Sequence, residues 1–415
     1  MNPPPREVDS LPVPDRAALA QSGALVAALR EEISAAGGWL PFERYMERAL
    51  YAPGLGYYGG GAHKFGQLGD DGSDFVTAPE LSPLFAATLA RPIAQALAAS
   101  GTHRLMEFGA GTGKLAAGLL VALDAMGVTV DAYAIVELSG ELRARQQATI
   151  EAMAGALATR VQWLDALPAQ FDGVIVGNEV LDAMPVRLFA RKNGTWFERG
   201  VTVNDATENA HDTFRFADRM VTVANDRDET TSAASTTSTT SALLAAIEGE
   251  HDYVTETHEA ALAFTRTVCT MLTRGAAFFI DYGFPRHEYY HVQRAQGTLM
   301  CHYRHRAHGD PFLYPGLQDI TAHVEFSGIA QAGVEAGADL LGYTSQARFL
   351  MNAGLIDLLA ELDPRDTLHF LPAASAVQKL VSEAEMGEMF KVIAFSRGIE
   401  PAITAFAHGN RSHTL

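Results

Sequence analysis

Short apolar runs alternate with helical patterns through most of the chain. The runs that are typical of buried strands lie at residues 104–108, 128–136, 161–164, 174–176, 276–280 and 391–395. The first three runs are separated by segments in which apolar residues have helical spacing. These segments are the Ala/Leu-rich stretch that ends near Met126 and residues 140–153. Strands that alternate with helices predict an α/β fold, in which helices cover both faces of a parallel sheet.

The N-terminal part of the chain predicts helices and one long loop. Residues 16–36 have helical spacing and stop at Gly37-Gly38, and a second helical pattern runs from Pro41 to Leu50. The stretch 53–74 contains too many glycines to pack a core, so we expect a loop that contacts another part of the molecule. A further helix is expected to start at Thr77-Ala78-Pro79-Glu80.

Two insertions are expected in the alternating region. The segments 186–190 and 195–203 flank Asn193-Gly194, a strong signal for a β-hairpin. The polar, low-complexity stretch 226–241 predicts a poorly ordered surface loop without a catalytic role. The predicted domains are a disordered leader (1–15), an N-terminal helical region with the glycine-rich loop (16–100), and a main domain (101–415) with insertions at 186–257 and 284–345.

Composition and charge narrow the classes of function. The 415 residues include 31 Lys and Arg against 49 Asp and Glu, a net charge of −18 that disfavours a nucleic-acid partner. No apolar run approaches the ~18 residues of a membrane span. Cys269 and Cys301 cannot build a disulfide framework, which favours a reducing compartment. Because the N-terminus lacks the features of a secretion signal or a transit peptide, we expect a cytoplasmic protein.

A glycine-rich turn follows the first predicted strand, in the sequence E-F-G-A-G-T-G-K at 107–114. A phosphate-binding P-loop would need glycine at Phe108 and Ser or Thr at Leu115, and the standard dinucleotide motif would need glycine at Lys114. A variant dinucleotide motif and a turn without a ligand stay open. The spacing E-x-G-x-G-x-G resembles the S-adenosylmethionine turn of Rossmann-like methyltransferases, and an acidic residue there suits a cationic sulfonium.

Further candidate cofactor ligands follow the neighbouring strands. Glu137 ends the second strand, where a carboxylate can bind both ribose hydroxyls. Asp165 follows the third strand and could bind the adenine amino group, although a surface Asp is equally expected there. With Thr77, the predicted cofactor-binding set is Glu107, Gly109, Gly111, Gly113, Glu137, Asp165 and Thr77.

The end of the fourth strand contains the candidate transfer site. Asn178, Glu179 and Asp182 follow the apolar run 174–176, where side chains would lie beside a transferred methyl group. Methyl transfer needs mainly the positioning of the two reactants, and two carboxylates suit a guanidinium or amine acceptor. The alternative is structural, with Asn178 or Asp182 capping the next helix and Glu179 solvated.

A resemblance to a known family rests on several motifs together. The chain resembles the MidA-like family, which includes the mitochondrial complex I assembly methyltransferase. The turn alone is generic, whereas the runs T-A-P-E-L-S, N-E-x-x-D-A-x-P and D-x-T-A-H-V are specific. The matching segments are Gly56-Tyr57-Tyr58, 74–85, 107–113, Val136-Glu137, 178–185, 280–283, 297–299, 319–324 and 386–392.

The resemblance implies a class I methyltransferase fold, with an N-terminal helical region and inserted hairpin and helical segments. It also implies S-adenosyl-L-methionine as cofactor and symmetric dimethylation of arginine in a protein substrate, with a respiratory complex I subunit as the family's example. Many members have Pro-Gly-Arg-Gly where this chain has residues 110–113, a change that keeps the glycines.

Two alternatives to arginine methylation stay open, namely methylation of a small molecule and an assembly factor that binds the cofactor without catalysis.

The segment 297–323 is expected to line the acceptor cleft, and Tyr57 is expected either to form a lid or to pack onto the domain. His302, His305 and His308 invite a metal interpretation, which their arginine neighbours oppose, so no metal is predicted. The predicted substrate-binding residues are Tyr57, Asp281, His305, Asp319 and His323.

Overall fold

A computed structural model describes residues 11–59, 77–204, 213–221, 240–399 and 402–415. The chain divides into two compact units. The first contains residues 1–62, 183–261 and 286–323, and the second contains residues 63–182, 262–285 and 324–415. The glycine turn and the candidate transfer site through Asp182 therefore belong to the second unit.

The helices, in chain order, are α1 (Arg16–Ala35), α2 (Phe42–Tyr51), α3 (Ala78–Leu81), α4 (Pro83–Ser100), α5 (Lys114–Ala125), α6 (Gly140–Ala154), α7 (240–246), α8 (Glu259–Met271), α9 (Arg286–Tyr289), α10 (Phe326–Glu335), α11 (Gln346–Asn352), α12 (Leu355–Ala360), α13 (Thr367–Val381) and α14 (Met386–Met389). The strands are β1 (Leu40–Pro41), β2 (Arg104–Phe108), β3 (Ala132–Val136), β4 (Val161–Leu164), β5 (Phe171–Asn178), β6 (Arg187–Lys192), β7 (Thr195–Val203), β8 (Phe214–Met220), β9 (Tyr253–Thr257), β10 (Leu272–Phe284), β11 (Met300–Tyr303), β12 (Arg306–His308), β13 (Asp319–Thr321), β14 (Val324–Glu325), β15 (Asp339–Ser345) and β16 (Phe390–Arg397).

The second unit is built on one eight-stranded sheet. Its strand order is β15-β16-β10-β5-β2-β3-β4, with β14 paired to the end of β10. The five strands from β10 to β4 are parallel, and β16 lies antiparallel between β10 and β15. The apolar runs form these strands because a sheet that is covered on both faces buries every side chain of its central strands.

Helices cover both faces of this sheet. On β10, the ring of Phe278 packs against Phe349 of α11, and the ring of its neighbour Phe279 packs against Phe264 of α8. Adjacent residues of a strand point to opposite faces, so α11 and α8 lie on opposite sides. Buried residues of α4, α5 and β5 form a large part of the main core of the unit. The expected α/β sheet with helices on both faces is confirmed.

The first unit is mainly β-structure. A five-stranded antiparallel sheet has the order β1-β7-β6-β9, with β8 paired to β7, and a three-stranded sheet has the order β12-β11-β13. The predicted hairpin is confirmed as β6 and β7, whose turn contains Asn193 and Gly194 at φ 47° and 78°. Positive φ at both turn positions suits the right-handed twist of the strands. Asp15 is the N-cap residue of α1, and its Oδ1 accepts a hydrogen bond from the Ala18 N–H at 2.8 Å.

The structure differs from the sequence predictions in several elements. The strand expected from residue 128 begins at Ala132, and the last strand, β16, runs antiparallel to its neighbours instead of extending a purely parallel sheet. Strand β15 was not predicted, and its pairing with β16 places it in the second unit. The segment 324–345, expected in an insertion, therefore belongs to the sheet unit, as does α4, which packs in its core.

Some predictions concern residues outside the described part of the chain. These are residues 1–10 of the expected leader, 60–74 of the glycine-rich loop, 74–76 of one family motif and 226–239 of the low-complexity stretch. Leu11, at the end of the expected leader, packs against a buried cluster that contains Tyr303 and Leu313. Both cysteines are buried free thiols. Within the described ranges, no helix has the length and apolar character needed to cross a membrane.

Candidate functional site

The turn between β2 and α5 requires its glycines. Gly109, Gly111 and Gly113 have φ of 66°, 52° and 87°, a backbone region that L-residues with a Cβ rarely adopt. A Cβ at Gly109 would lie 2.8 Å from Cγ2 of Val180, and one at Gly113 would lie 3.1 Å from the Cα of Gln146. The turn therefore needs glycine both for its left-handed backbone and for its close packing against Val180 and Gln146, and α5 begins directly after it.

Glu107 lies beneath this turn, inside the sheet. Its side chain is 1% exposed, and its Oε2 accepts a hydrogen bond from the Tyr133 hydroxyl at 2.6 Å. Burial raises the pKa of Glu107 to about 7, although the Tyr133 hydrogen bond opposes the shift. The structure thus gives this predicted cofactor ligand a buried phenol as its partner, and a direct role in cofactor binding stays a prediction.

Glu137 lies at the carboxyl end of β3, as expected. Its Oε1 accepts a hydrogen bond from the Ser139 N–H at 2.8 Å, and its Oε2 accepts one from Nε2 of Gln146 at 3.2 Å. Each carboxylate oxygen can accept a second hydrogen bond, which leaves capacity for the hydroxyls of a ribose. The position and the remaining acceptor capacity both suit the predicted contact with a nucleoside sugar.

Asp165 follows β4 and is 85% exposed. Nη2 of Arg143 pairs with its Oδ1 at 2.6 Å and donates to the carbonyl of Leu164 at 3.1 Å, while Nε of Arg143 donates to the carbonyl of Glu137 at 2.7 Å. Arg143 on α6 therefore joins the tips of β3 and β4. The sequence analysis missed this residue, and the predicted contact of Asp165 with adenine stays a prediction.

Gln146 is a second residue of α6 that the sequence analysis missed. Its side chain is fully buried, and its Nε2 donates to the carbonyl of Gly111 at 3.2 Å as well as to Glu137. Its Oε1 accepts a hydrogen bond from the indole of Trp163 at 2.8 Å. The one available signal was a polar residue on the buried stripe Gln146, Ile150 and Ala154 of an otherwise solvated helix.

The glycine turn is also held from the side of α3. The buried carboxylate of Glu80 accepts a hydrogen bond from Oγ1 of Thr112 at 2.5 Å and forms an ion pair with Lys114. Thr77, a predicted cofactor ligand, is the N-cap residue of α3, and its carbonyl accepts the N–H groups of Glu80 and Leu81. The motif around Thr77 thus connects to the turn through Glu80, and its own cofactor contact stays a prediction.

Asn178 and Glu179 lie at the carboxyl end of β5. Nδ2 of Asn178 donates to Oε1 of Glu179 at 3.0 Å, and the Glu179 N–H donates to the carbonyl of Ile280 at 2.8 Å. Glu179 has φ 54°, an uncommon conformation for a residue other than glycine that often marks a functional site. Asn178 is 8% exposed, and its Oδ1 has no hydrogen-bond partner among the described residues.

Asp281 on β10 has a role that the sequence analysis did not predict. It is completely buried, and its Oδ2 accepts hydrogen bonds from the N–H groups of Val180, Leu181 and Asp182 at 3.1, 2.8 and 3.3 Å. Burial, and then the charges of Asp182 and Glu179, raise the pKa of Asp281 well above its usual range. Asp281 therefore holds the turn that carries Glu179 and Asp182, and its predicted contact with a substrate stays a prediction.

Asp182 completes the cluster at the end of β5. It is buried, and its Oδ2 accepts a hydrogen bond from the hydroxyl of Tyr282, which follows Asp281 on β10. The structure therefore brings together Asn178, Glu179 and Asp182, the three predicted catalytic residues, around one turn. It does not show helix capping, the structural alternative, for Asn178 or Asp182, because residues 179–185 are not helical.

The remaining predicted substrate-binding residues belong to the first unit. Tyr57 is 1% exposed and packs edge-on against Tyr58, so its ring is part of a core and not an exposed lid. Asp319 is also buried, and its Oδ1 accepts a hydrogen bond from the Tyr58 hydroxyl at 3.0 Å. These two motif segments therefore bind each other within the unit.

His305 and His323 occupy different environments in the first unit. His305 has φ 60° in the turn between β11 and β12, next to Arg304 at φ 47°. The backbone N–H of His323 donates to Oγ1 of Thr298 at 3.1 Å. Burial lowers the pKa of both His302 and His308. Within the described residues, no cluster of His, Cys, Asp and Glu side chains has a geometry that could hold a metal ion.

The residues of the second unit fit an S-adenosyl nucleoside. The turn at 109–113 is glycine backbone at the start of α5, and the carboxylate of Glu137 lies at the adjacent strand tip. In open parallel sheets, ligands bind at this carboxyl edge. The glycine turn, Glu137 and the cluster after β5 all end parallel neighbouring strands, so a single cofactor could contact them.

Comparisons with known proteins agree with this fit. Residues 88–344 match the family model described as "Putative S-adenosyl-L-methionine-dependent methyltransferase". A crystal structure of a COG1565 superfamily member from Burkholderia thailandensis, bound to S-adenosyl-homocysteine, is 71% identical with a TM-score of 0.91 and covers 98% of this chain and 100% of that chain. The expected methyltransferase fold is confirmed, since this neighbour shares nearly the whole chain.

More distant relatives bear a specific activity in their names. The Drosophila melanogaster protein named "Protein arginine methyltransferase NDUFAF7 homolog, mitochondrial" is 25% identical over 93% of this chain and 88% of its own length. The Mus musculus protein arginine methyltransferase NDUFAF7, mitochondrial, is 27% identical over 86% of this chain and 81% of its own length.

Proposed function

The chain belongs to the MidA-like family of S-adenosyl-L-methionine-dependent methyltransferases, and we propose that its methyl acceptor is the guanidinium group of an arginine in a protein. The observation that carries the proposal is the polarity of the cluster after β5. Its side chains are the carboxylates of Glu179 and Asp182 and the carbonyl oxygen of Asn178, whose amide nitrogen already donates to Glu179.

Such a cluster favours a donor-rich, cationic acceptor. Oδ1 of Asn178 has no partner among the described residues, and a buried acceptor without a donor costs about 1–3 kcal/mol. A guanidinium has five N–H donors in a planar fork that matches carboxylate geometry, and its charge offsets those of the carboxylates. A neutral hydroxyl acceptor carries one donor and no positive charge, so it matches this acceptor-rich cluster less well.

The chemistry assigned to these residues follows from their positions. S-adenosyl-L-methionine supplies an electrophilic methyl group on its sulfonium. Glu179 and Asn178 would accept N–H bonds from the guanidinium, fix its plane and hold one nitrogen in line with the methyl carbon. As the nitrogen–carbon bond forms and the sulfur–carbon bond breaks, the nitrogen releases a proton, which the carboxylate of Glu179 would accept. Asp182 would lie near this contact and balance the charge.

Glu107, the three turn glycines, Glu137, Asp165 and Thr77 are proposed to hold the cofactor, and the turn geometry and the position of Glu137 support this set. The family resemblance supports symmetric dimethylarginine as the product and a respiratory complex I subunit as the protein partner. It also extends the proposed acceptor contacts to Tyr57, Asp281, His305, Asp319 and His323, although the burial of Tyr57 and Asp281 favours indirect roles for these two. The buried free thiols of Cys269 and Cys301 support a reducing compartment, so we propose the cytoplasm.

Labelling of a lysate tests the acceptor class. The protein is incubated with methyl-labelled S-adenosylmethionine and a lysate of cells that lack the gene, and labelled proteins are hydrolysed and analysed for methylarginines. We expect labelled dimethylarginine with the native chain and a loss of at least about a hundredfold with Glu179→Gln. Glu361→Gln, at an exposed position in the same unit, is the matched control.

The other outcomes of this experiment contradict the proposal in distinct ways. Label only in small molecules would indicate a small-molecule methyltransferase. Calorimetric binding of S-adenosylhomocysteine without any labelled product would indicate a binding protein that lacks catalysis. Full activity of Glu179→Gln would remove the assigned role of this carboxylate.

A further inference from the structure

We propose that Gln146 is the positioning residue of the nucleoside site, and that it makes the protein prefer a ribonucleoside to a 2′-deoxyribonucleoside. Gln146 does not touch the sugar in this role but acts through the carboxylate of Glu137. It lies on the buried stripe of α6, four residues before Ile150, and is fully buried. A buried amide whose hydrogen bonds are made holds its partners in fixed positions.

The orientation of the Gln146 amide follows from its partners. The indole of Trp163 can only donate, so the amide atom that faces it must be the oxygen. Nε2 then points in the opposite direction, where its two acceptors are the carbonyl of Gly111 and Oε2 of Glu137, both at 3.2 Å. One side chain therefore connects the tip of β4, the glycine turn and the carboxylate at the tip of β3.

The consequence for Glu137 is a fixed carboxylate plane. The Ser139 N–H holds Oε1 at 2.8 Å and Gln146 holds Oε2, so neither oxygen is free to rotate away. A carboxylate that is held by both oxygens presents its remaining acceptor sites in one direction, which suits two vicinal hydroxyls. The proposed sugar contact is a pair of hydrogen bonds to the Glu137 carboxylate. A ligand without the 2′-hydroxyl should therefore bind more weakly when the carboxylate is held in this orientation. When the carboxylate is not held, loss of the hydroxyl should matter less.

The backbone around Glu137 is fixed independently. Arg143 lies one helical turn before Gln146 and donates to the carbonyls of Glu137 and Leu164. Loss of the Gln146 amide should therefore release the Glu137 side chain without displacing the strand tips. This separation lets an experiment distinguish an orienting role from a general structural one.

The test measures affinity and not turnover. Isothermal titration of the full chain with S-adenosylhomocysteine and with its 2′-deoxy analogue gives a preference ratio for each variant. We expect Gln146→Leu to bind S-adenosylhomocysteine about tenfold more weakly and the 2′-deoxy analogue at most about threefold more weakly, so that the ratio falls. Gln147→Leu, at the neighbouring exposed glutamine of the same helix, should leave both affinities unchanged.

Equal weakening of both ligands by Gln146→Leu would overturn the proposal, because it would indicate only structural support, and so would unchanged affinities. If Gln146→Leu fails to fold, Trp163→Phe decides, since it removes the donor that orients the amide. A lower ratio supports the role and an unchanged ratio refutes it. The role depends on the cofactor and not on the acceptor, so its failure leaves the arginine proposal intact.

Discussion

The hydroxyl of Tyr282 donates a hydrogen bond to Oδ2 of Asp182, 100 residues earlier in the chain. Tyr282 follows Asp281, whose carboxylate accepts the N–H groups of Val180, Leu181 and Asp182. Two consecutive residues of β10 thus hold the turn after β5. Asp281 binds the backbone N–H groups of the turn, and Tyr282 binds the side chain of Asp182. The conformation of the candidate transfer site therefore depends on the parallel pairing of β5 with β10.

Removal of the Tyr282 hydroxyl should affect catalysis more than cofactor binding. Tyr282→Phe leaves the edge-on packing of the ring against Phe390 but removes the donor to Asp182. We expect kcat to fall about tenfold, while the Kd for S-adenosylhomocysteine changes less than about twofold. Tyr290→Phe, which removes a hydroxyl that bonds within the first unit, is the control. An unchanged kcat would show that Asp182 needs no fixed orientation.

Asp281 should stabilise the protein through its backbone contacts. Asp281→Ala would leave buried N–H groups of residues 180–182 without an acceptor, so we expect the free energy of unfolding to fall by about 2–4 kcal/mol. Asp281→Asn keeps one oxygen acceptor and should cost less. Urea unfolding of both variants measures the difference. Equal losses would mean that the oxygen is not the stabilising group.

The glycine turn should require Gly113 for ligand binding as well as for its backbone conformation. Gly113→Ala introduces a Cβ 3.1 Å from the Gln146 backbone at φ 87°, whereas Gly127→Ala, at φ 72°, has nothing within 4 Å. Both variants should lose about 1–2 kcal/mol of stability, because each places an L-residue in a left-handed conformation. In calorimetry, Gly113→Ala should bind S-adenosylhomocysteine at least about tenfold more weakly than the native chain, whereas Gly127→Ala should not. Similar affinities of the two variants would contradict a ligand site at this turn.

Glu107 should make stability depend on pH in a predictable direction. Burial raises its pKa from 4.5 to about 7 in the folded protein, so the folded state binds more protons than the unfolded state between these values. Stability contributed by the protonated carboxyl is therefore present below pH 4.5 and is lost as pH rises towards 7, by at most about 3 kcal/mol.

Comparison with Glu107→Gln isolates this effect, because glutamine keeps an acceptor for the Tyr133 hydroxyl and does not titrate. Between pH 5 and pH 7, the free energy of unfolding of the native chain should fall relative to that of the variant. Glu151→Gln, at an exposed position on α6, should show no such shift. A pH-independent difference would mean that Glu107 ionises normally in the folded protein.

Local patterns along the chain were sufficient for the elements that depend on near neighbours. The limits of β2 and β4 agree with the apolar runs 104–108 and 161–164, since short buried strands bounded by polar residues leave little choice of register. Asn193-Gly194 specified a hairpin because a two-residue turn with positive φ at both positions matches the twist of such strands. The spacing of Gly109, Gly111 and Gly113 likewise indicated a ligand turn before any strand was paired.

Contacts between distant segments determined the rest. Strand pairing between distant segments makes β16 antiparallel and adds β15 beside it. It also determines to which unit each inserted segment belongs. The local hydrophobic pattern does not indicate which strands pair. Asp281 and Gln146 show the same limit for single residues. A polar side chain that is solvated and one that is buried against backbone groups look alike in a sequence, and only the folded neighbours supply the hydrogen bonds that distinguish them.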